Sequence, residues 1–216
     1  MGAVGGQIEP YYLSKVMGTS TCDLMVMPTT KMQNVPINGI CGQVNNSIIP
    51  GMTGIEAGQS AFGDIYSWFK DFISWPLEKL IPNSTIVDSE TAILLINEIK
   101  ENILMELSKE AANIPVEENM ELALDWMNGR RSPDANQLVK GAIQHINLGT
   151  SAASIYRSLI EATCFGSKCI VDRLRAEGVL IKGIIALGGV AQKSPLVVQM
   201  MADILGMPIK LNRSEQ

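Results

Sequence analysis

Histidine is almost missing: His145 is the only one in 216 residues. The four cysteines, Cys22, Cys41, Cys164 and Cys169, form no CxxC or Cys/His spacing, which excludes a zinc site and any disulfide framework. Free thiols, and with them a cytoplasmic location, are the reading. Long apolar runs are also lacking, since no uninterrupted segment approaches the roughly 20 residues that a bilayer span needs. The start, "MGAVGGQIEP", has neither the basic residues nor the apolar core of a signal peptide, and Gly6 stands where a myristoylation signal carries Ser or Thr. The glycosylation-type triplets at Asn45, Asn83 and Asn212 are then chance occurrences. Basic clusters reduce to Arg130-Arg131, and a net charge of -5 offers no attraction to nucleic acid or anionic lipid.

What is present is a hydrophobic content of 46%, enough for one large globular domain. The chain opens in strand formers and turn residues. "SKVMGTSTCDLMVMP" reads as one hairpin and "ICGQVNNSIIPGMTGIEAG" as a second, with Asn45-Asn46 at its turn. From Ser60 the period changes, and "SAFGDIYSWFKDFI" sets Phe62, Ile65, Trp68, Phe69 and Phe72 on one helical face. A long amphipathic helix follows, capped at Ser89, with Ala92, Ile96, Ile99, Ile103 and Leu107 as its apolar stripe. "LDWMNGRRSPDANQLVKG" interrupts as a polar surface loop between helices, in which Arg130 and Arg131 read as surface ion-pair partners. A second long helix runs from a Thr150 or Ser151 cap to a stop at Gly178. His145, with no carboxylate near it in sequence, has a structural or surface role.

Two small-residue sites carry chemistry. Gly18-Thr19-Ser20-Thr21, at the first hairpin's tip, contains no lysine and alone reads as a polar turn. Near the end, an apolar strand (Ile184 to Leu187) meets Gly188-Gly189, a helix starts near Ser194-Pro195, and Pro208 to Leu211 reads as a parallel return strand. Strand, glycine turn, helix, strand suits a phosphate or nucleotide, because a glycine at a strand's carboxyl end lets a ligand reach the backbone. Neither GxGxxG nor a Walker motif is present, and the β-rich opening does not fit a dinucleotide-binding dehydrogenase. The two sites complement each other, since turn amides and hydroxyls serve a polyphosphate, a bound Mg²⁺ supplies the charge that a lysine would, and Gly188-Gly189 forms a shelf for adenosine.

The order of "GTST", "EAGQSAFGDIYSWF", "NGRRSPDANQ" and "IIALGGVAQKSPLVVQMMADILGMPIKL" resembles the C-terminal half of an FGGY-family carbohydrate kinase over nearly the whole chain. The resemblance implies an α/β, actin-like (ribonuclease H-like) domain, a mixed sheet with helices on both faces. It makes residues 1–216 a single domain cut at both ends relative to the full kinase. It implies ATP and Mg²⁺, with Gly18, Thr19, Ser20 and Thr21 at the β- and γ-phosphates and Gly63 against the nucleotide. Gly188 and Gly189 would meet the adenosine, with Gln192 and Lys193 near base or ribose, and Glu56 would face the sugar.

"NGRRSPDANQ" points within the family to kinases of L-ribulose. Xylulose, rhamnulose, gluconate or glycerol kinases, and a non-catalytic actin-fold nucleotide-binding domain, remain as alternatives. The aspartate that activates the sugar hydroxyl would precede Met1, because Glu9 is the sole carboxylate before Gly18. On this reading the chain alone is inactive, and its exposed faces favour homo-oligomers.

Overall fold

The computed structural model describes residues 8–32, 36–116 and 120–212. Gly6 and the Ser214-Glu215-Gln216 tail therefore lie outside the described residues. The elements run β1 (Tyr12–Met17), β2 (Thr21–Pro28), β3 (Gly42–Asn45), β4 (Met52–Ala57), α1 (Gly63–Ile73), α2 (Trp75–Leu80) and α3 (Ser89–Ala112). They continue β5 (Leu122–Leu124), β6 (Ala142–Gln144), α4 (Ala152–Ala176), β7 (Gly183–Leu187), α5 (Gly189–Lys193), α6 (Pro195–Leu205) and β8 (Ile209–Leu211). Six strands make one mixed sheet in the order β3-β4-β2-β1-β7-β8, and β5 and β6 form a separate two-stranded ribbon. Both hairpins read from the sequence are present, the second turning through Asn46 at φ 59°. The crossover from β7 through α6 to β8 is parallel, as the glycine-turn pattern indicated.

Strand alternation selects the faces. Leu13, Lys15 and Met17 of β1, Asp23 and Met25 of β2 and Ile55 of β4 are buried. They lie toward a helical layer in which α4 touches α1, α3 and α6. Four helices, α1, α3, α4 and α6, share that layer. The opposite face carries Val16, Cys22, Leu24 and Glu56, partly or fully exposed, beside the buried Ser14, Val26 and Ile185.

Helix ends follow their caps. Ser151 and Ser154 form a capping box at α4, and Gly178 takes the positive φ that follows its last turn. At α3 the cap is Asp88 rather than Ser89, its carboxylate accepting from the amides of Glu90 and Thr91. The α3 stripe of Ala92, Ile96, Ile99, Ile103 and Leu107 is buried or half-buried. On α1, Ile65 and Phe69 pack inward as their spacing indicated, and so does Tyr66. Trp68 (43% exposed) and Phe72 (65%) instead stack on each other at the surface, 5.6 Å between ring centroids.

A buried ion pair joins the two arms of the first hairpin. Lys15 and Asp23, each 1% exposed, form an ion pair with Nζ 2.9 Å from both carboxylate oxygens. Gln59 extends it, accepting from Lys15 (3.4 Å) and from Ser167 (2.7 Å) and donating to Asp125 (2.8 Å) and to the Thr163 carbonyl (2.9 Å). One polar chain thus ties β1 and β2 to the segment after β4, to the end of β5 and to α4. Deleting one partner strands the other's charge in the core, so Lys15→Met is predicted to destabilise the fold by about 3–5 kcal/mol. The double change Lys15→Met with Asp23→Leu recovers most of that loss, as read by urea unfolding.

Candidate nucleotide site

β1 and β7 run parallel with Val16 opposite Leu187, so the two glycine turns leave adjacent strands at the same end of the sheet. Gly188 holds φ 96°, and a Cβ there would lie 2.7 Å from the Met17 carbonyl oxygen. Conformation and space both require glycine. The first hairpin's turn is Gly18, Thr19 and Ser20, closed by Gly18 N–H donating to Ser20 O (3.1 Å). The start of α1 docks on it: the amides of Phe62 and Asp64 donate to Thr19 O (2.7 and 3.1 Å), and that of Gly63 to Gly18 O (3.0 Å). A Cβ on Gly63 would come 2.6 Å from the Gly18 carbonyl oxygen, so glycine is what permits this docking. With its carbonyls turned toward the helix, the loop presents the exposed Thr19 outward.

A cleft of about 760 Å³ opens beside these turns and brings Gly18, Thr19, Gly63, Gly189 and Lys193 together. Its far wall is α3, through Glu101, Leu104, Met105, Ser108 and Lys109, which motif reading did not select. Asp64 and Lys70 from α1 also line it, giving three lysines against two carboxylates. Ser194 lines it too, and its Oγ is buried without a hydrogen-bond partner among the described residues. Such a group is costly to leave unpaired and marks a place for a ligand acceptor or donor.

The other expected site residues lie differently. Gly188 stands directly behind Gly189. Thr21 is fully buried, and its hydroxyl accepts from Gln59 N–H (2.9 Å), so it serves the core network rather than the cleft. Ser20 is half-buried and Gln192 exposed on α5, and neither lines the cleft. Glu56 is exposed on β4, opposite Leu24 in the sheet and away from the cleft.

The "NGRRSPDAN" segment departs from its reading as a solvated connector between helices. It follows β5, is bracketed by the β5–β6 ribbon and acts as a clamp. Arg131 donates through Nη2 to the carbonyls of Thr21 (2.6 Å) and Gln59 (3.2 Å), at the base of the turn. Arg130 lies over the Trp126 ring, 5.2 Å from its centroid. Asp134 binds Arg173 through both carboxylate oxygens (2.9 and 2.6 Å), and that guanidinium holds its carboxyl below the usual range. Among the described residues neither arginine forms an ion pair: backbone carbonyls engage Arg131, and Arg130 faces an indole and donates to the Asp134 carbonyl. His145 is exposed, as expected, its ring nitrogen 3.0 Å from the Met120 carbonyl.

Sheet order, parallel crossover and cleft define an α/β domain of the actin-like ATPase fold. The chain belongs to the FGGY family of carbohydrate kinases, matching the model of that family's C-terminal domain over residues 13–216. It is 43% identical over its whole length to a ribulokinase of Vibrio parahaemolyticus, of which it covers 37%. It is 35% identical, over 98% of its length, to a ribulokinase of Bacillus licheniformis, covering 35% of that protein. The chain thus spans little more than a third of these relatives. Among solved structures, xylulose kinase from Rhodospirillum rubrum matches with a TM-score of 0.71 at 18% identity, over 97% of this chain and 36% of that one. Glycerol kinase of Plasmodium falciparum with ADP matches at 0.64 and 15% identity, over 97% of this chain and 36% of that one.

Burial raises the Asp125 carboxyl above its usual range. The native state therefore holds this proton more tightly than the unfolded chain, so Asp125's contribution to stability falls as pH rises from about 4 through the raised value. Asp125→Asn is predicted to remove that decline, measured by urea unfolding across the acidic range. Gly188→Ala is predicted to cost at least about 1–3 kcal/mol, from positive φ and the Met17 contact together, in the same assay.

Proposed function

We propose that this chain is the nucleotide-holding domain of an ATP-dependent kinase that converts a ketopentose, L-ribulose, to its 5-phosphate. The observation that carries this reading is the meeting of the two glycine turns in one cleft that also holds the unpaired Ser194 hydroxyl. Gly18 and Thr19 take the β- and γ-phosphates, with Ser20 closing the turn behind them, while Lys70 and Lys193 supply positive charge. Adenosine lies along Gly188, Gly189 and Ser194, with Gln192 near its outer edge and the Leu104–Met105 surface of α3 opposite. The ribulokinase relatives support the sugar class, and the ADP of the Plasmodium glycerol kinase supports the nucleotide.

Mg²⁺ fits the donor set. It binds through one or two carboxylates plus substrate phosphates and keeps several waters, and Asp64, whose amide is fixed to Thr19 O, is the carboxylate beside the loop. Asp64 would hold the ion there, and the chemistry it would supply is neutralisation of phosphate charge. Thr19 and the turn backbone orient the phosphates, and the α3 wall limits water around the base. Glu56 meets the sugar together with a domain outside this chain, which also brings the carboxylate that activates the sugar hydroxyl.

All four cysteines are unpaired, and among the described residues no helix is long and apolar enough to cross a membrane. A cytoplasmic enzyme accords with both. Trp68, Phe72 and Trp75 remain exposed on α1 and α2, a surface suited to self-association.

Calorimetry with Mg-ADP tests the nucleotide reading. Saturable binding is expected, weakened at least tenfold by Gly63→Val and, with the fold undisturbed, severalfold by Lys193→Ala. Absence of binding to the native chain contradicts it. L-ribulose-dependent ATP turnover by this chain alone is expected to be nil, and measurable turnover would refute a base supplied from elsewhere. Light scattering is expected to show association that rises with concentration and falls in Phe72→Ser.

A further inference from the structure

A second cavity, about 200 Å³, lies on the other side of the clamp, between residues 122–133 and α4. It shares no lining residue with the nucleotide cleft. Clefts for drug-sized ligands run about 300–1,000 Å³, so this one suits a molecule of monosaccharide size and excludes a nucleotide.

Its chemistry is mixed. Arg130 and Arg131 are donors; Asp125, 8% exposed, and Glu161, which accepts from Arg157 at 2.8 Å, are acceptors. Trp126 and Phe165 supply aromatic surface. Two carboxylates oppose an anion and two guanidinium groups oppose a cation. A neutral molecule whose hydroxyls each donate once and accept twice meets both kinds of partner. One donor already lacks an acceptor: Arg131 Nε–H is buried with no hydrogen-bond partner among the described residues, although the same guanidinium reaches Thr21 and Gln59 through Nη2.

We propose that this cavity is a binding site for a small neutral polyol or monosaccharide, with Arg131 Nε–H and the Asp125 carboxyl as its central polar contacts. The site is independent of the nucleotide reading, since it is built from other residues and requires no ATP.

Two exposed cysteines make the test specific. Cys169 lines the cavity, whereas Cys41 does not and reaches it only through the lining residue Ser132, 3.3 Å away. The native chain is alkylated with iodoacetamide at alkaline pH, with and without ribitol, and the modification rate at each cysteine is read by peptide mass spectrometry. Ribitol is expected to slow alkylation of Cys169 severalfold and saturably while slowing that of Cys41 much less. Asp125→Asn raises the ribitol concentration required, and Leu122→Trp, at the half-exposed rim, abolishes protection without unfolding the chain. Unchanged Cys169 reactivity throughout the millimolar range overturns the site, as does equal protection of Cys41. Protection by inorganic phosphate but not by ribitol overturns the ligand class.

Discussion

A lysine and an aspartate at 1% exposure hold the arms of the first hairpin together, and the geometry of the phosphate-loop candidate depends on that pair. Two charges in a core persist only with each other and with further hydrogen-bond partners, so Lys15 and Asp23 tolerate little slippage between β1 and β2. Gln59 carries the constraint onward to α4 and Asp125. Arg131 closes it from the other side by gripping the Thr21 carbonyl. The turn of Gly18, Thr19 and Ser20 is thereby held at its base by side chains and at its tip by the first amides of α1. A loop fixed before any ligand arrives loses little conformational entropy on binding.

The cleft follows from close approach. Parallel pairing of β1 with β7 places Gly188 against the Met17 backbone, where no Cβ fits, and docking of the start of α1 places Gly63 against the Gly18 carbonyl. These contacts draw two turns, far apart in sequence, to one wall of a cavity whose other wall is α3. The lysine near the loop in sequence, Lys15, takes no part in that wall because Asp23 neutralises it. Positive charge comes instead from helix residues facing the cleft, Lys70 of α1, Lys109 of α3 and Lys193 of α5.

Elements set by local periodicity were legible in the sequence. The α3 stripe, both hairpins, the Ser151 cap and the β7–α6–β8 crossover follow from spacing and capping chemistry that adjacent residues determine. Surfaces set by distant contacts were not. Trp68 and Phe72 share a period with Ile65 and Phe69, yet the stripe is wider than the neighbouring elements cover, and only its centre is buried. The family resemblance puts Thr21 at the phosphates as part of the Gly18-Thr19-Ser20-Thr21 turn, but strand alternation turns it into the core. Arg131 looked like a surface residue because its segment is polar, and its partners are backbone carbonyls that no side-chain pattern reveals. The α3 wall has no motif at all, and only packing assigns it to the cleft.

The central claim is that both glycine turns contact one nucleotide. An amide-resolved NMR titration of this chain with the magnesium complex of a non-hydrolysable ATP analogue tests it most directly. The account predicts shifts concentrated at Gly18, Thr19, Gly63, Asp64, Gly189 and Ser194 and along the Glu101–Lys109 face of α3. Shifts at only one of the two turns, or centred on the Trp126 cavity, would contradict it.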